Sequence, residues 1–186
     1  MKNAITILFV VINSFSFAQT QLDLILLNKV NAYRNSKGLH SLIWNNSLYL
    51  VADNQAQYML LSNKVSHDQE LRDSIISKSF VPEPSFTARF IKFMDYIGTR
   101  RVGENLVAHK IPSYTNINLD SLSNKLLESW IFSPAHNALL LDSAMCEAAI
   151  CNKYRENLLE VDPETLDFVY SNRLYVSYEC YTDITE

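Results

Sequence analysis

ESWIFSPAHN, residues 128–137, contains one of the chain's two tryptophans, a Ser-Pro break and a histidine. How this stretch is read decides how the second half of the chain folds. Leu122, Leu126 and Trp130 recur at helical spacing, so DSLSNKLLESW reads as an amphipathic helix with Asp120 as its cap and the tryptophan in the core. Ser133 suits an N-cap, and Pro134 suits the first helical position, where a missing N–H costs nothing. A new helix therefore starts here and runs through AHNALLLD, with His136 as its third residue. A titratable imidazole just past the break, with Glu128 eight residues before it, raises the question of whether His136 belongs to a site.

Reading outward toward the N-terminus, QLDLILLNKVNAYRNSKG places Leu22, Ile25, Leu26, Val30 and Tyr33 on one helical stripe, and Gly38 follows as a left-handed C-cap. After an extended LHSLIW, the run SLYLVADNQAQYMLLSNK forms a second stripe through Leu48, Val51, Ala52, Gln55, Ala56, Met59 and Leu60, with Asn45 to Ser47 supplying caps. Pro82 and Pro84 break the middle of the chain, and PSFTARFIKFMDYIG carries a short helix ending near Gly98. GENLVAHK after Gly103 is extended. Toward the C-terminus, AMCEAAICNK and DFVYSNRLYVSYECY read as antiparallel strands, the second with Val169, Leu174, Val176 and Tyr178 in partial alternation. A polar, acidic connection from Asn157 to Glu164 joins them. Helices first and strands last predict an α+β fold, with helices packed on a small antiparallel sheet.

Composition bounds the function. The 186 residues, 48% of them hydrophobic, suffice for one core. A formal net charge of −4 without a basic run argues against nucleic-acid partners. With three glycines in the chain, phosphate-cradling loops are excluded, and no G-x-S-x-G elbow is present. Lys2, the apolar stretch Ala4 to Ile12 and small residues at Ser16 and Ala18 read as a signal peptide, residues 1–18, cleaved before Gln19. The expectation is a single domain over residues 19–186, exported to the periplasm or beyond the cell, monomeric and without a transmembrane segment. Export permits disulfides. A hairpin pairing of the last two strands would bring Cys146 and Cys180 together and leave Cys151 over; three reduced, buried thiols are the alternative.

Four histidines, His40, His67, His109 and His136, could carry chemistry, yet no H-x-x-x-H or C-x-x-C spacing links them to a metal. His40 and His109 are assigned structural or surface roles. For the others the order of motifs is informative. Asn31-Ala-Tyr-Arg34 with Gly38-Leu39, Leu42-Ile-Trp44, the helix with Ala52, Ala56 and Met59, Ser66-His67, Gly103-Glu104-Asn105-Leu106 and Trp130-Ile-Phe-Ser133-Pro-Ala-His136-Asn137 follow one another. Together with the aromatic strand Leu174 to Tyr181, this series resembles the CAP superfamily of cysteine-rich secretory, antigen 5 and pathogenesis-related 1 proteins, in its bacterial form.

The resemblance implies an α-β-α sandwich with a central antiparallel sheet between helical layers. It also implies an open cleft carrying two histidines, His67 and His136, and one or two glutamates, of which Glu104 is the G-E-N member. The second family glutamate would fall at Ser133, so that set is incomplete. Glu128 is the nearest carboxylate, but a helical turn carries it to another face. Two imidazoles could bind zinc through His67 and His136, and a hydrolase would need a third ligand or a nucleophile besides. The function implied is a secreted binding module for a small molecule, a lipid or an extracellular protein. The alternatives are a metal-dependent or general-base hydrolase acting on an extracellular peptide or polysaccharide, and a plain structural role. Residues 68–101, lying between two site residues, could form part of the cleft wall.

Overall fold

Along the last strand, Leu174, Val176, Tyr178 and Cys180 join one buried cluster while Tyr175 and Tyr181 join clusters on the opposite side. A strand whose alternate side chains are buried on both faces needs a helical layer on each. The structure, a computed structural model, supplies both layers; it describes residues 20–70, 80, 82–94, 101–111, 116–161 and 168–182. Its elements are α1 (Gln21–Ser36), β1 (Ile43–Trp44), α2 (Asn46–Ser62), α3 (Phe86–Met94), β2 (Val102–Ile111), α4 (Leu119–Ile131), α5 (Pro134–Leu140), β3 (Glu147–Val161) and β4 (Phe168–Tyr181). The leader read from residues 1–18, the helix end expected near Gly98 and residues 162–164 of the acidic connection lie outside the described residues.

The sheet has the order β1-β3-β4-β2. β3, β4 and β2 are antiparallel as expected, but the two-residue β1 pairs parallel to β3 at the edge, which makes the sheet mixed. On one face α1, α4 and α5 bury Leu26, Val30, Leu126, Trp130 and Leu140 against Ile150, Leu174, Val176 and Tyr178. Trp130 has no exposed surface and packs its ring 5.6 Å from that of Tyr178. On the other face α2 and α3 set Val51, Ala52, Ala56 and Phe90 over Ala149, Cys151 and Tyr181. The α-β-α sandwich is thus present.

Local sequence explains most boundaries. Thr20 and Asp23 form a capping box at the start of α1, and Gly38, with φ of +77°, follows its end in the left-handed region. Asn45 caps α2 through its side chain. Two expectations are corrected. Asn118 caps α4, accepting from Ser121 N at 2.9 Å, and Asp120 sits inside the first turn, where its charge favours the helix dipole. The polar stretch from Asn157 begins inside β3, because a register shift between Arg155 and Leu158, with Asn157 at φ 52°, lets pairing resume to Val161. Cys146, Cys151 and Cys180 are all free thiols. Cys180 pairs in register with Ala148, two residues past Cys146.

Candidate functional site

β2 is an edge strand, and its first residues carry the G-E-N motif. Each letter of the motif has a separate task. A Cβ on Gly103 would lie 2.3 Å from Leu139 Cδ1, so the bare glycine gives the Leu139 side chain of α5 room to pack onto the strand. Asn105 turns to the same face and donates from Nδ2 to the backbone oxygen of His136 at 3.0 Å. Glu104, between them, points the other way and is sealed, with 1% of its side chain exposed.

Glu104 accepts from both sides. Arg89 Nη2 donates to Oε2 at 2.6 Å and His67 Nδ1 donates to Oε1 at 2.7 Å. A carboxylate paired with a guanidinium can only accept, so His67 must carry its proton on Nδ1 and turn Nε2 outward. The His67 side chain remains 56% exposed, and Glu104 raises its pKa above the ordinary histidine value, chiefly through this hydrogen bond and against the opposing effect of burial. The loop bearing His67 is tied down from α2. Buried Gln55 donates to the Ser66 carbonyl at 2.5 Å, and Gln69 donates to Asn54 and Gln55 at 2.9 Å each.

His136 reaches the same edge from the other layer. It is the third residue of α5 after the N-cap Ser133 and Pro134, as the sequence indicated. Partial burial, and secondarily the charge of nearby His67, hold its pKa below the ordinary value. Two further ties fix α5. Tyr33 donates from its hydroxyl to Asn137 Oδ1 at 3.0 Å, and fully buried Arg34 donates to the carbonyls of Leu140 and Asp142 beyond it. Between the layers opens a cleft of about 310 Å³ lined by His67, Phe86, Gly103, Glu104 and Leu139.

The structure therefore brings His67 and Glu104 into direct contact and sets His136 beside them. Glu128 is exposed and takes no part. His40 donates from Nε2 to the Met145 carbonyl at 2.8 Å, and His109 lines a separate small cavity near the far end of β2. Two residues of the cluster escaped the sequence reading. Arg89, fully buried on α3, is the counter-ion of Glu104. Glu179, fully buried on β4, stands directly opposite Glu104 in the register. The signal for each was a charged residue inside an otherwise apolar pattern, FTARFIKF and LYVSYECY.

The family profile for cysteine-rich secretory proteins matches residues 27–151, which span α1 to the first half of β3 and include His67, Glu104 and His136. The chain belongs to the CAP family. No curated protein matches it significantly in sequence. Among solved structures, it is similar to an extracellular protein containing an SCP domain from Bacillus anthracis, with 16% identity, a TM-score of 0.56, and coverage of 87% of this chain and 40% of that one. An outer surface protein from Borrelia burgdorferi aligns with 14% identity and a TM-score of 0.53 over 89% of this chain and 97% of that one. At these identities the likeness concerns the fold. Within the described CAP structure no helix is long and apolar enough to cross a membrane.

Proposed function

We propose that this CAP domain is an exported binding module whose ligand enters the cleft at the edge of β2. The observation that carries the reading is the cleft itself: Phe86, Leu139 and the Gly103 backbone give it apolar walls, and His67, held by Glu104, gives it one polar corner. Its volume falls at the lower end of the roughly 300–1,000 Å³ typical of small-molecule sites. Apolar walls with a single hydrogen-bonding corner suit the acyl chain of a lipid, its polar group meeting His67 Nε2. Export is supported by the leader-like residues 1–18.

The test is thermal protection of the chain from Gln19 by a lysophospholipid below its micelle concentration. Ligand at 100 times its dissociation constant stabilises by about 2.7 kcal/mol, which raises the melting temperature by several degrees. Phe86→Ala, which removes one wall, should abolish the protection. Equal protection of the variant and the parent chain would count against this cleft as the site.

A second reading is favoured by the tautomer of His67. With Nδ1 committed to a carboxylate, Nε2 is presented as a metal-binding histidine presents it. His67 and His136 would supply two imidazoles to zinc, but the described residues hold no group of three or more metal-binding side chains. That donor set is one short of the three protein ligands usual at a catalytic zinc. The hydrolase alternative has a base in the His67–Glu104 pair, while none of the described cleft-lining residues is a serine, threonine or cysteine. Calorimetry with zinc on the parent chain and on His136→Ala separates the readings, since only a zinc site loses heat on that substitution.

A further inference from the structure

Antiparallel pairing of β2 with β4 sets Glu104 directly opposite Glu179, and strand alternation turns both toward the α2/α3 face. Opposed residues of such a pair have Cβ atoms about 4.5–5.5 Å apart. Glu104 keeps 1% of its side chain exposed and Glu179 none, so water does not screen them. The charged and polar groups around them can be named element by element. From β4, Ser177 donates from Oγ to Glu179 Oε1 at 2.8 Å. From α3, Arg89 donates to Glu104 Oε2, and from the loop after α2, His67 donates to Glu104 Oε1. Glu179 Oε2 is buried and has no hydrogen-bond donor among the described residues.

One buried guanidinium therefore faces two carboxyl groups. Two carboxylates this close in a dry site do not both ionise; one keeps a proton. Glu104, with Arg89 and His67 both donating to it, is the member held ionised. A proton on Glu179 Oε2 removes the second buried charge and converts a stranded acceptor into a donor, with Glu104 within hydrogen-bonding reach.

We propose that Glu179 is a positioning residue buried behind the cleft, one that holds a proton at neutral pH and donates a hydrogen bond to Glu104. It acts at one remove. With Arg89, His67 and Glu179 all donating to it, the Glu104 carboxylate is fixed in orientation, and so is the face that His67 presents to the cleft. Burial first and the Glu104 charge second push the Glu179 carboxyl well above the usual range, which agrees with this assignment. The proposal rests on reading the cleft as the functional site, but its test needs no ligand, so the two can fail separately.

The experiment is a nitrogen-15 NMR titration of the His67 imidazole in the ligand-free chain, comparing the parent with Glu179→Gln and Glu179→Leu. Glutamine keeps an N–H donor and carries no charge, so the His67 midpoint should stay within about 0.3 pH units and the Nδ1–H tautomer should persist. Leucine donates nothing. It leaves Glu104 a stronger acceptor and should move the midpoint upward by on the order of half a unit, a change that glutamine rescues. A fall of a unit or more in Glu179→Gln would show that an ionised Glu179 had been removed, and would overturn the proposal; so would an unchanged midpoint in Glu179→Leu. Should a variant not fold, the infrared spectrum of the parent chain decides. A protonated-carboxyl stretch at pH 7 supports the proposal, and its absence contradicts it.

Discussion

Two arginines among the described residues, Arg34 and Arg89, have no exposed surface, and they are used in opposite ways. Arg34, on α1, spends its guanidinium on the main chain, donating to the carbonyls of His40, Leu140, Asp142 and Met145 at 2.7 to 3.3 Å. One carbonyl lies between α1 and β1 and the other three at the end of α5 and in the segment leading into β3, so the residue ties two stretches of chain together. Arg89, on α3, donates to one side chain, Glu104, and its Nε and Nη1 find no partner among the described residues. A fully satisfied buried cation marks architecture. One tied to a single carboxylate that also holds an exposed histidine marks a site where charge is being managed.

Substitutions should expose that difference. Arg34→Met removes one donor from each of four carbonyls, of which Met145 keeps His40 Nε2 and Asp142 keeps Met145 N, and at about 1 kcal/mol or more for each bond lost the loss should reach about 4 kcal/mol in urea denaturation. Because its partners are backbone groups, no second substitution should restore it. Arg89→Met strands the buried Glu104 charge and should cost about 3 kcal/mol. Here a rescue exists. Adding Glu104→Gln removes the stranded charge, and a double-mutant cycle should show coupling above about 1 kcal/mol. If Arg89→Met proves mild and uncoupled, the two arginines do not differ as described.

Gly103→Ala tests the contact between the site strand and α5. Its Cβ would fall 2.3 Å from Leu139 Cδ1, and overpacking of this kind costs about 1–3 kcal/mol. Leu139→Ala in the same chain should recover much of it.

The smallest effects should appear in pH. The His67 pKa is raised on folding, so its contribution to stability is fully present below the unfolded value of 6.5 and is lost as pH rises through the higher folded value. His136 has the opposite sign. Its pKa is lowered, so its contribution is present above 6.5 and is lost as pH falls through the folded value. Denaturant midpoints measured across this range should flatten on the alkaline side in His67→Ala and on the acid side in His136→Ala. His67 is exposed and His136 only partly buried, so the changes should be slight.

Much of this was legible in the sequence because the governing interactions are local. Helical stripes, the Ser133-Pro134 restart and the Gly38 stop follow from short-range rules, and they placed His136 correctly in its helix. The motif order placed His67 and Glu104 together although 37 residues separate them. What could not be read was register. Glu179 becomes a neighbour of Glu104 only when β2 pairs with β4, and a lone acid in LYVSYECY carries no sign of its partner. Arg89 was hidden in the same way, as a cation in an aromatic helix whose depth depends on packing over α2 and the sheet. The cap of α4 was misplaced by two residues because Asn118 and Asp120 are both good capping types, and only geometry decides between them.

The central claim is that the cleft at the β2 edge is where this CAP domain meets its ligand. Amide chemical-shift mapping with a lysophospholipid tests it most directly. The account predicts perturbations centred on His67, Phe86, Gly103 and Leu139, which fade in Phe86→Ala. Perturbations centred instead on the separate cavity between His109 and Lys125, or none at saturating lipid, would contradict it.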